Sequence, residues 1–196
     1  MLKEQLADFD IILASGSPRR QLFFKELAIN FTIDVREIEE VYPPHLKAQE
    51  ITNYLARLKA TAFKDIDEKQ IVITSDTIVW NEGQAIGKPK DHAEAFQMLS
   101  ALSGSAHEVF TSVCFTTKEA QQTVYDCTKV YFKELTPAQI EYYLKTCKPY
   151  DKAGSYGIQD WLGYIGIDKI EGCFFNVMGL PTRLVYETLI ALASSK

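Results

Sequence analysis

A short stretch near the N-terminus has the residue types of an anion-binding turn. Residues 14–20 read A-S-G-S-P-R-R and follow an apolar run that begins at Ile11. Serine before a helix and proline at its first position predict a strand, a tight turn and then a helix. Backbone N–H groups at a helix start favour an anion, and Arg19 and Arg20 add two guanidinium groups suited to phosphate. The stretch matches neither the phosphate-binding pattern G-x-x-x-x-G-K-[ST] nor the dinucleotide-binding pattern G-x-G-x-x-G. The alternative interpretation is a capped helix start with two hydrated arginines.

Asp76 lies within the run I-V-I-T-S-D-T-I-V-W at residues 71–80. Such a β-branched run is typical of a strand covered on both faces. An ionised carboxylate buried there without a partner would cost several kcal/mol, so a lysine or a metal ion is expected beside it. The alternative is an exposed aspartate at a strand end that holds a turn. Glu39 and Glu40 form a second acidic pair, for which a hydrated loop is the competing interpretation.

Further cations lie in three separate segments. Lys59 flanks the apolar face of a helix that is predicted over residues 47–64. Lys88 lies between a glycine and a proline, which restrict its backbone, although most such lysines are merely hydrated. Residues 151–159, D-K-A-G-S-Y-G-I-Q, combine a cation, hydrogen-bond donors, an aromatic ring and glycines in one loop. An ordinary surface loop is the alternative for this last segment.

The remaining pattern alternates strands and helices, which predicts an α/β fold with a single domain over residues 1–196. Asp91 and Thr136 are typical capping residues, which stand just before the first residue of a helix, and Thr136 has the form of a capping box with Gln139. We expect a loop over residues 148–163. The predicted strands are 11–14, 31–35, 71–80, 109–116, 123–132, 164–170 and 173–177, and the predicted helices are 18–28, 47–64, 91–104, 136–144 and 181–189.

Composition narrows the function classes. The 196 residues carry 21 basic and 26 acidic side chains, a net charge of −5, so no overall basic field would hold nucleic acid or an anionic membrane surface. No apolar run reaches the roughly 18 residues of a membrane span, and the N-terminus lacks a signal core. Four dispersed cysteines without a C-x-x-C pair favour reduced thiols in the cytoplasm. A polyanionic ligand must therefore meet a local group of cations.

Seven short motifs, taken in order, resemble those of the Maf (septum formation inhibitor) family of nucleoside triphosphate pyrophosphatases. They are S-G-S-P-R-R, I-E-E, R-L-K-A, S-D-T-I-V, G-K-P, D-K-A-G-S-Y-G-I-Q and N-V-M-G-L-P, and they span roughly residues 11–190. The resemblance implies a mixed central sheet flanked by helices, akin to the inosine triphosphate pyrophosphatases. It also implies hydrolysis of a nucleoside triphosphate to the monophosphate and pyrophosphate with a divalent cation, Mg²⁺ or Mn²⁺.

Carried over position by position, the resemblance assigns roles to ten residues. Asp76 matches the proton acceptor, Lys59 and Lys88 join it as catalytic residues, and Glu40 with Asp76 matches the metal ligands. The positions that match substrate-binding residues are Ser15, Arg19, Arg20, Thr77, Lys152 and Gln159.

Three of these positions, Arg20, Thr77 and Gln159, match the branch that acts on dTTP and UTP. A glutamine amide can pair with the donor and acceptor edge of uracil or thymine. The chain departs from the family pattern at Asp160, where glycine is common, and at Cys173-Phe174, where Ser-Tyr is usual. These departures affect substrate preference more than the reaction. The resemblance also implies a homodimer. The expected binding partner is the nucleoside triphosphate substrate.

Two other functions compete with this one. A regulator of cell division could bind a nucleotide without hydrolysing it, and an enzyme of the inosine triphosphate type would prefer purines. A complete set of acidic and basic residues favours the enzyme, because a pure binder has no need of Asp76 beside a metal.

Overall fold

A seven-stranded mixed sheet forms the centre of the computed structural model, which describes residues 2–194. Its order is β2-β1-β3-β5-β6-β7, and β4 pairs with β3. β1 is parallel to β2 and β3, whereas the β3–β4 and β6–β7 pairs are antiparallel. The strands are β1 Asp10–Leu13, β2 Thr32–Ile33, β3 Gln70–Asn81, β4 Gln84–Ile86, β5 Ala106–Thr116, β6 Gln121–Phe132 and β7 Ile167–Glu171.

Helices flank this sheet, which confirms the predicted mixed α/β fold. They are α1 Leu2–Gln5, α2 Pro18–Glu26, α3 Gln49–Ala60, α4 His92–Leu102, α5 Pro137–Cys147, α6 Trp161–Gly166, α7 Phe174–Val177 and α8 Thr182–Ser194. A short 3₁₀ turn covers Ala153–Ser155. No helix among residues 2–194 is long and apolar enough to cross a membrane.

Local hydrogen bonds begin the helices where the sequence predicted them. The Asp91 carboxylate accepts from the Glu94 amide at 2.9 Å. Thr136 and Gln139 form the predicted capping box, each side chain accepting from the other residue's amide. Such caps satisfy amides that the first helical turn leaves unbonded, so they can be predicted from neighbouring residues. At α2, Ser17 directly precedes the first helical residue, Pro18, as predicted, but its side chain makes no capping bond.

The chain comprises two compact units. The first contains residues up to Asp76, Thr111–Asp126 and the chain from Gly179 onward, and the second contains Thr77–Phe110 and Cys127–Met178. The expectation of a single domain over 1–196 stays a prediction.

Each unit has an apolar interior. In the first, Ala56 and Ala60 of α3 pack against Cys114 of β5. In the second, a core cluster gathers side chains from α4, α5, α6 and the flanking strands, among them Leu99 and Tyr143, which are fully buried. Burial of this apolar area is the main term that stabilises each unit.

The structure corrects three predicted elements. Of the strand predicted at 31–35, Thr32 and Ile33 form β2, which pairs with β1. Tyr164 lies in α6, so the strand predicted from that residue starts at Ile167. The loop predicted over 148–163 contains the 3₁₀ turn and ends where α6 begins.

The strand predicted at 173–177 is wrong, because this segment contains one turn of helix, α7. Asn176 is fully buried, and its amide donates to the Val109 carbonyl at 3.0 Å and to Thr128 Oγ1 at 2.9 Å. Phe174 and Phe175 remain exposed. The apolar run favoured a strand, but burial of a hydrogen-bonded amide from one helical turn decided the conformation.

Candidate active site

Asp76 in β3 is buried and paired with Lys59 of α3. The aspartate is 6% exposed, and Lys59 Nζ donates to its Oδ1 at 2.7 Å. The same ammonium group lies 3.1 Å from Glu40 Oε1. The prediction of a lysine beside a buried carboxylate is confirmed, and the alternative of an exposed aspartate at a strand end is wrong. Glu40, with a side chain 50% exposed, belongs to a segment without helix or strand but still reaches this centre.

The electrostatics of Asp76 are set by two opposing effects. Burial raises the pKa of the carboxyl group, and the charge and hydrogen bond of Lys59, together with the charge of Arg20, offset only part of that rise. A carboxylate whose proton affinity is increased is a better proton acceptor than an exposed aspartate. The arrangement can therefore take a proton from a bound water molecule.

Arg20 of α2 anchors the surrounding backbone. Its guanidinium donates to the carbonyls of Gly179 at 2.8 Å and Ser75 at 3.0 Å, and to Ser15 Oγ at 3.4 Å. Burial lowers its pKa to about 10, a change that the charge of Asp76 reduces, so the group stays protonated at neutral pH. The Ser75 carbonyl directly precedes Asp76, and Arg20 therefore helps to hold the end of β3 that carries the carboxylate. The sequence singled out neither Ser75 nor Gly179, because carbonyl acceptors have no residue signature.

The turn before α2 is tightly bonded. Ser15 is buried, and its Oγ accepts from the Ser17 amide at 3.3 Å as well as from Arg20. Arg19 lies in the first turn of α2 and is half-buried. The first unit thus brings together five of the predicted site residues, namely Ser15, Arg20, Glu40, Lys59 and Asp76.

Glu40 and Asp76 are the side chains that the resemblance implies for binding a divalent cation. No group of three or more histidine, cysteine or acidic side chains with metal-binding geometry occurs among the described residues. Glu40 and Asp76 both contact the single ammonium group of Lys59, which already holds two carboxylates around one positive charge. Mg²⁺ usually takes one or two carboxylates and completes its shell with water and substrate phosphates. The two carboxylates fit such an ion.

The second unit holds Thr77, Lys88, Lys152 and Gln159. Thr77 follows Asp76 in β3 and is half-buried, and Lys88 is exposed. The carbonyl of Gly87, which precedes Lys88, accepts from the Gly154 amide at 3.0 Å and so joins that segment to the glycine-rich loop.

Within the glycine-rich loop, Lys152 and Gln159 both lie near Asp160. Lys152 Nζ is 2.7 Å from Asp151 Oδ1 and 3.8 Å from Asp160 Oδ2. Gln159 Nε2 donates to Asp160 Oδ1 at 3.1 Å. Asp160 appeared in the sequence only as a departure from the family pattern, and its contacts make it part of this loop's polar network.

His107 and Tyr156 form a buried pair that the sequence did not single out as a site. His107 Nε2 and the Tyr156 hydroxyl lie 2.7 Å apart, and the ring of Phe132 packs edge-on against both. Burial lowers the pKa of His107 to about 4 and raises that of Tyr156, so both are neutral at physiological pH. This pair anchors the glycine-rich loop to β5.

Gly154 sets the conformation of this loop, and Gly154→Ala is expected to destabilise the protein. Its φ is +67°, and an added Cβ would lie 2.9 Å from Val79 Cγ2. The left-handed backbone and the overlap together cost an alanine about 2 kcal/mol or more. The melting temperature should fall by about 4–8 °C. Gly87→Ala is the control, because an added Cβ there meets no atom within 4 Å. Equal melting temperatures for the two variants would contradict the conclusion that Gly154 sets the conformation of this loop.

The chain is similar to known proteins over nearly its whole length. The sequence model described as "Maf-like protein" matches residues 10–192. A dTTP/UTP pyrophosphatase of Christiangramia forsetii is 59% identical over 196 residues, covering 100% of both chains. Proteins of the same name from Flavobacterium johnsoniae and Phocaeicola vulgatus are 56% and 47% identical, covering 98% and 95% of this chain and 100% and 97% of their own. The chain therefore belongs to the Maf-like protein family.

Proposed function

We propose that the chain is a nucleoside triphosphate pyrophosphatase that hydrolyses dTTP and UTP to the monophosphate and pyrophosphate. The observation that carries this proposal is the buried Asp76 carboxylate, paired with Lys59 and next to Glu40. Relatives at 47–59% identity over nearly the full chain bear the name dTTP/UTP pyrophosphatase, which supports the same activity here. Neither a non-catalytic regulator of cell division nor a purine-specific enzyme is favoured by these names.

In the reaction, Asp76 acts on the attacking water. The carboxylate orients the water and accepts its proton as the water oxygen bonds to the α-phosphorus. The bond between that phosphorus and the oxygen bridging to the β-phosphate breaks, and pyrophosphate leaves. Because Lys59 holds Asp76 by a 2.7 Å hydrogen bond, the carboxylate has a defined orientation before substrate binds.

Cationic and polar side chains balance the charge of the triphosphate. We propose phosphate binding by Ser15, Arg19 and Lys152, and a catalytic role for Lys88 alongside Lys59 and Asp76. Fixed ammonium and guanidinium groups stabilise the charge that develops on phosphoryl oxygens. Base selection is assigned to Arg20, Thr77 and Gln159.

Glu40 and Asp76 would hold the divalent cation, Mg²⁺ or Mn²⁺, through their carboxylate oxygens. When bound, such an ion neutralises phosphate charge and favours departure of pyrophosphate. We further infer a cytoplasmic protein whose partner is a free nucleotide rather than nucleic acid or a membrane, consistent with its net charge of −5. The homodimer stays an expectation from the resemblance.

A nucleotide panel tests the proposed function. Purified protein with Mg²⁺ should release pyrophosphate from dTTP and UTP faster than from other nucleoside triphosphates. No release from any nucleotide would refute the enzyme in favour of a binding protein. Release mainly from ITP would refute the pyrimidine preference. Replacing Mg²⁺ with a chelator should abolish release, which tests whether the reaction needs a divalent cation.

Gln159→Glu is expected to change base selection more than stability. The substitution removes the donor that reaches Asp160 and places two carboxylates side by side, so the side chain must move. We expect kcat/KM for dTTP to fall relative to other nucleotides by about tenfold, the scale of one lost polar contact. Gln122→Glu, exposed on β6, is the matched control. Unchanged substrate ratios would remove Gln159 from the base site.

A further inference from the structure

A chain of hydrogen bonds runs from the loop backbone to the Gln159 amide. The Gly157 amide donates to the Tyr143 hydroxyl at 3.0 Å, and that hydroxyl donates to Asp160 Oδ2 at 2.9 Å. The other carboxylate oxygen, Oδ1, accepts from Gln159 Nε2 at 3.1 Å. Two consecutive bonds therefore join Tyr143 of α5 to the side chain assigned to base selection, and a third joins Tyr143 to the loop backbone.

The direction of every bond in this chain is determined. A backbone N–H can only donate, so the Tyr143 oxygen accepts from Gly157 and its hydrogen points to Asp160. Burial raises the pKa of Tyr143, which keeps its hydroxyl protonated and able to donate. A carboxylate only accepts, so the amide group of Gln159 that faces Asp160 must be the NH₂.

The remaining end of the amide is an acceptor that lacks a donor. Gln159 Oε1 is buried and has no hydrogen-bond partner among residues 2–194. A buried acceptor left in this state is costly unless a ligand supplies the donor. Gln159 Oε1 is therefore an acceptor that a bound donor would satisfy.

Gly157 makes this arrangement sterically feasible. A Cβ on Gly157 would lie 2.5 Å from Asp160 Oδ2 and 2.7 Å from Gln159 Nε2. Both side chains fold back over the bare Cα, which restricts their rotamers. Lys152 Nζ, 3.8 Å from Asp160 Oδ2, adds a positive charge on the other side of the carboxylate.

We propose that Asp160 and Tyr143 are positioning residues that make Gln159 present its carbonyl oxygen, and not its NH₂, to the substrate base. This inference rests on the function proposed above. Uracil and thymine carry a donor at N3–H, which pairs with a carbonyl oxygen. Cytosine has an unprotonated acceptor at N3, which would meet that oxygen without a hydrogen. Locking the amide thus selects against cytosine nucleotides, whereas an amide free to rotate could meet either base.

Asp160→Asn, an isosteric change, tests whether Asp160 fixes the orientation of the Gln159 amide. The asparagine can donate as well as accept, so the Gln159 amide can reverse. We expect the ratio of kcat/KM for dTTP to that for dCTP, measured with Mg²⁺, to fall about tenfold, which corresponds to about 1.4 kcal/mol. Tyr143→Phe removes the donor to Asp160 and should lower the ratio in the same direction. Tyr142→Phe is the matched control, because this neighbouring tyrosine of α5 is 51% exposed and packs on Trp161 through its ring.

The outcomes distinguish a fixed orientation of the Gln159 amide from a merely structural role of the network. They also distinguish failure of this inference from failure of the proposed function. A network that only holds the loop would lower activity on every nucleotide by the same factor and leave the dTTP to dCTP ratio unchanged. That result in both variants would overturn the inference while the proposed function stands. If the unmodified protein releases no pyrophosphate from dTTP or UTP, the proposed function and this inference fail together.

Discussion

Asp76→Asn is expected to lower kcat for dTTP by on the order of 10² or more, the scale of lost general-base catalysis. The amide has nearly the same shape as the carboxylate, so β3 and its neighbours keep their packing. It cannot accept the proton of the attacking water, and it is a weaker ligand for a divalent cation. Steady-state pyrophosphate release measures the loss, with Asp8→Asn, exposed near the N-terminus, as the control.

The same substitution should leave the free energy of unfolding at neutral pH undiminished. The pKa of Asp76 is raised in the folded protein, chiefly by burial, so folding favours the protonated over the ionised carboxyl group. The contribution of this group to stability is therefore greatest below its unfolded pKa and declines as pH rises through the folded pKa. A neutral asparagine removes that penalty, and Lys59 retains Glu40 as its partner. Retention of most activity, or a large loss of stability, would contradict the assigned role.

Lys59→Met is expected to lower kcat for dTTP by a factor comparable to that of Asp76→Asn, but for a different reason. Methionine keeps the length of the side chain but removes the charge that pairs with Asp76 and Glu40. Loss of one cation that stabilises developing phosphoryl charge costs roughly 10²–10³ in kcat. Loss of its charge and hydrogen bond also removes the largest of the effects that lower the pKa of Asp76.

The pH dependence of kcat/KM in Lys59→Met distinguishes the loss of the Lys59 charge from a general loss of structure. Activity needs ionised Asp76, so it falls as pH decreases through the pKa of that group. Without Lys59 that pKa is higher, and the acidic limb of the kcat/KM profile should move to higher pH. Lys64→Met, exposed beyond the end of α3, should leave the profile in place. An acidic limb at the same pH in Lys59→Met would mean that Asp76 is not the titrating base.

Where the deciding interactions are local, sequence and structure agree. The caps at Asp91 and Thr136 involve residues three positions apart, so the chain's near neighbours determine them. The β-branched run around Asp76 likewise predicts a buried strand, and burial of a charge requires a partner. From this reasoning a lysine or a metal was expected. The helix pattern places Lys59 beside an apolar face, but only the resemblance to a family assigns it to the catalytic site.

The tertiary structure decided what local pattern could not. Lys59 and Asp76 are 17 residues apart, and only the packing of α3 near β3 makes them partners. The helical turn α7 replaced a predicted strand because distant acceptors satisfy the buried Asn176 amide.

Asp160 shows most clearly how the contributions of sequence and tertiary structure differ. In sequence it is a single departure from a pattern, next to Gln159. In the structure it links that amide to Tyr143, 17 residues earlier on another helix, and the polarity of each bond follows from which atoms can donate. The sequence by itself determined which chemical groups are available and most of the segments that form helices and strands. Only tertiary structure decided which groups meet, because packing of the buried surface over the whole chain sets those contacts.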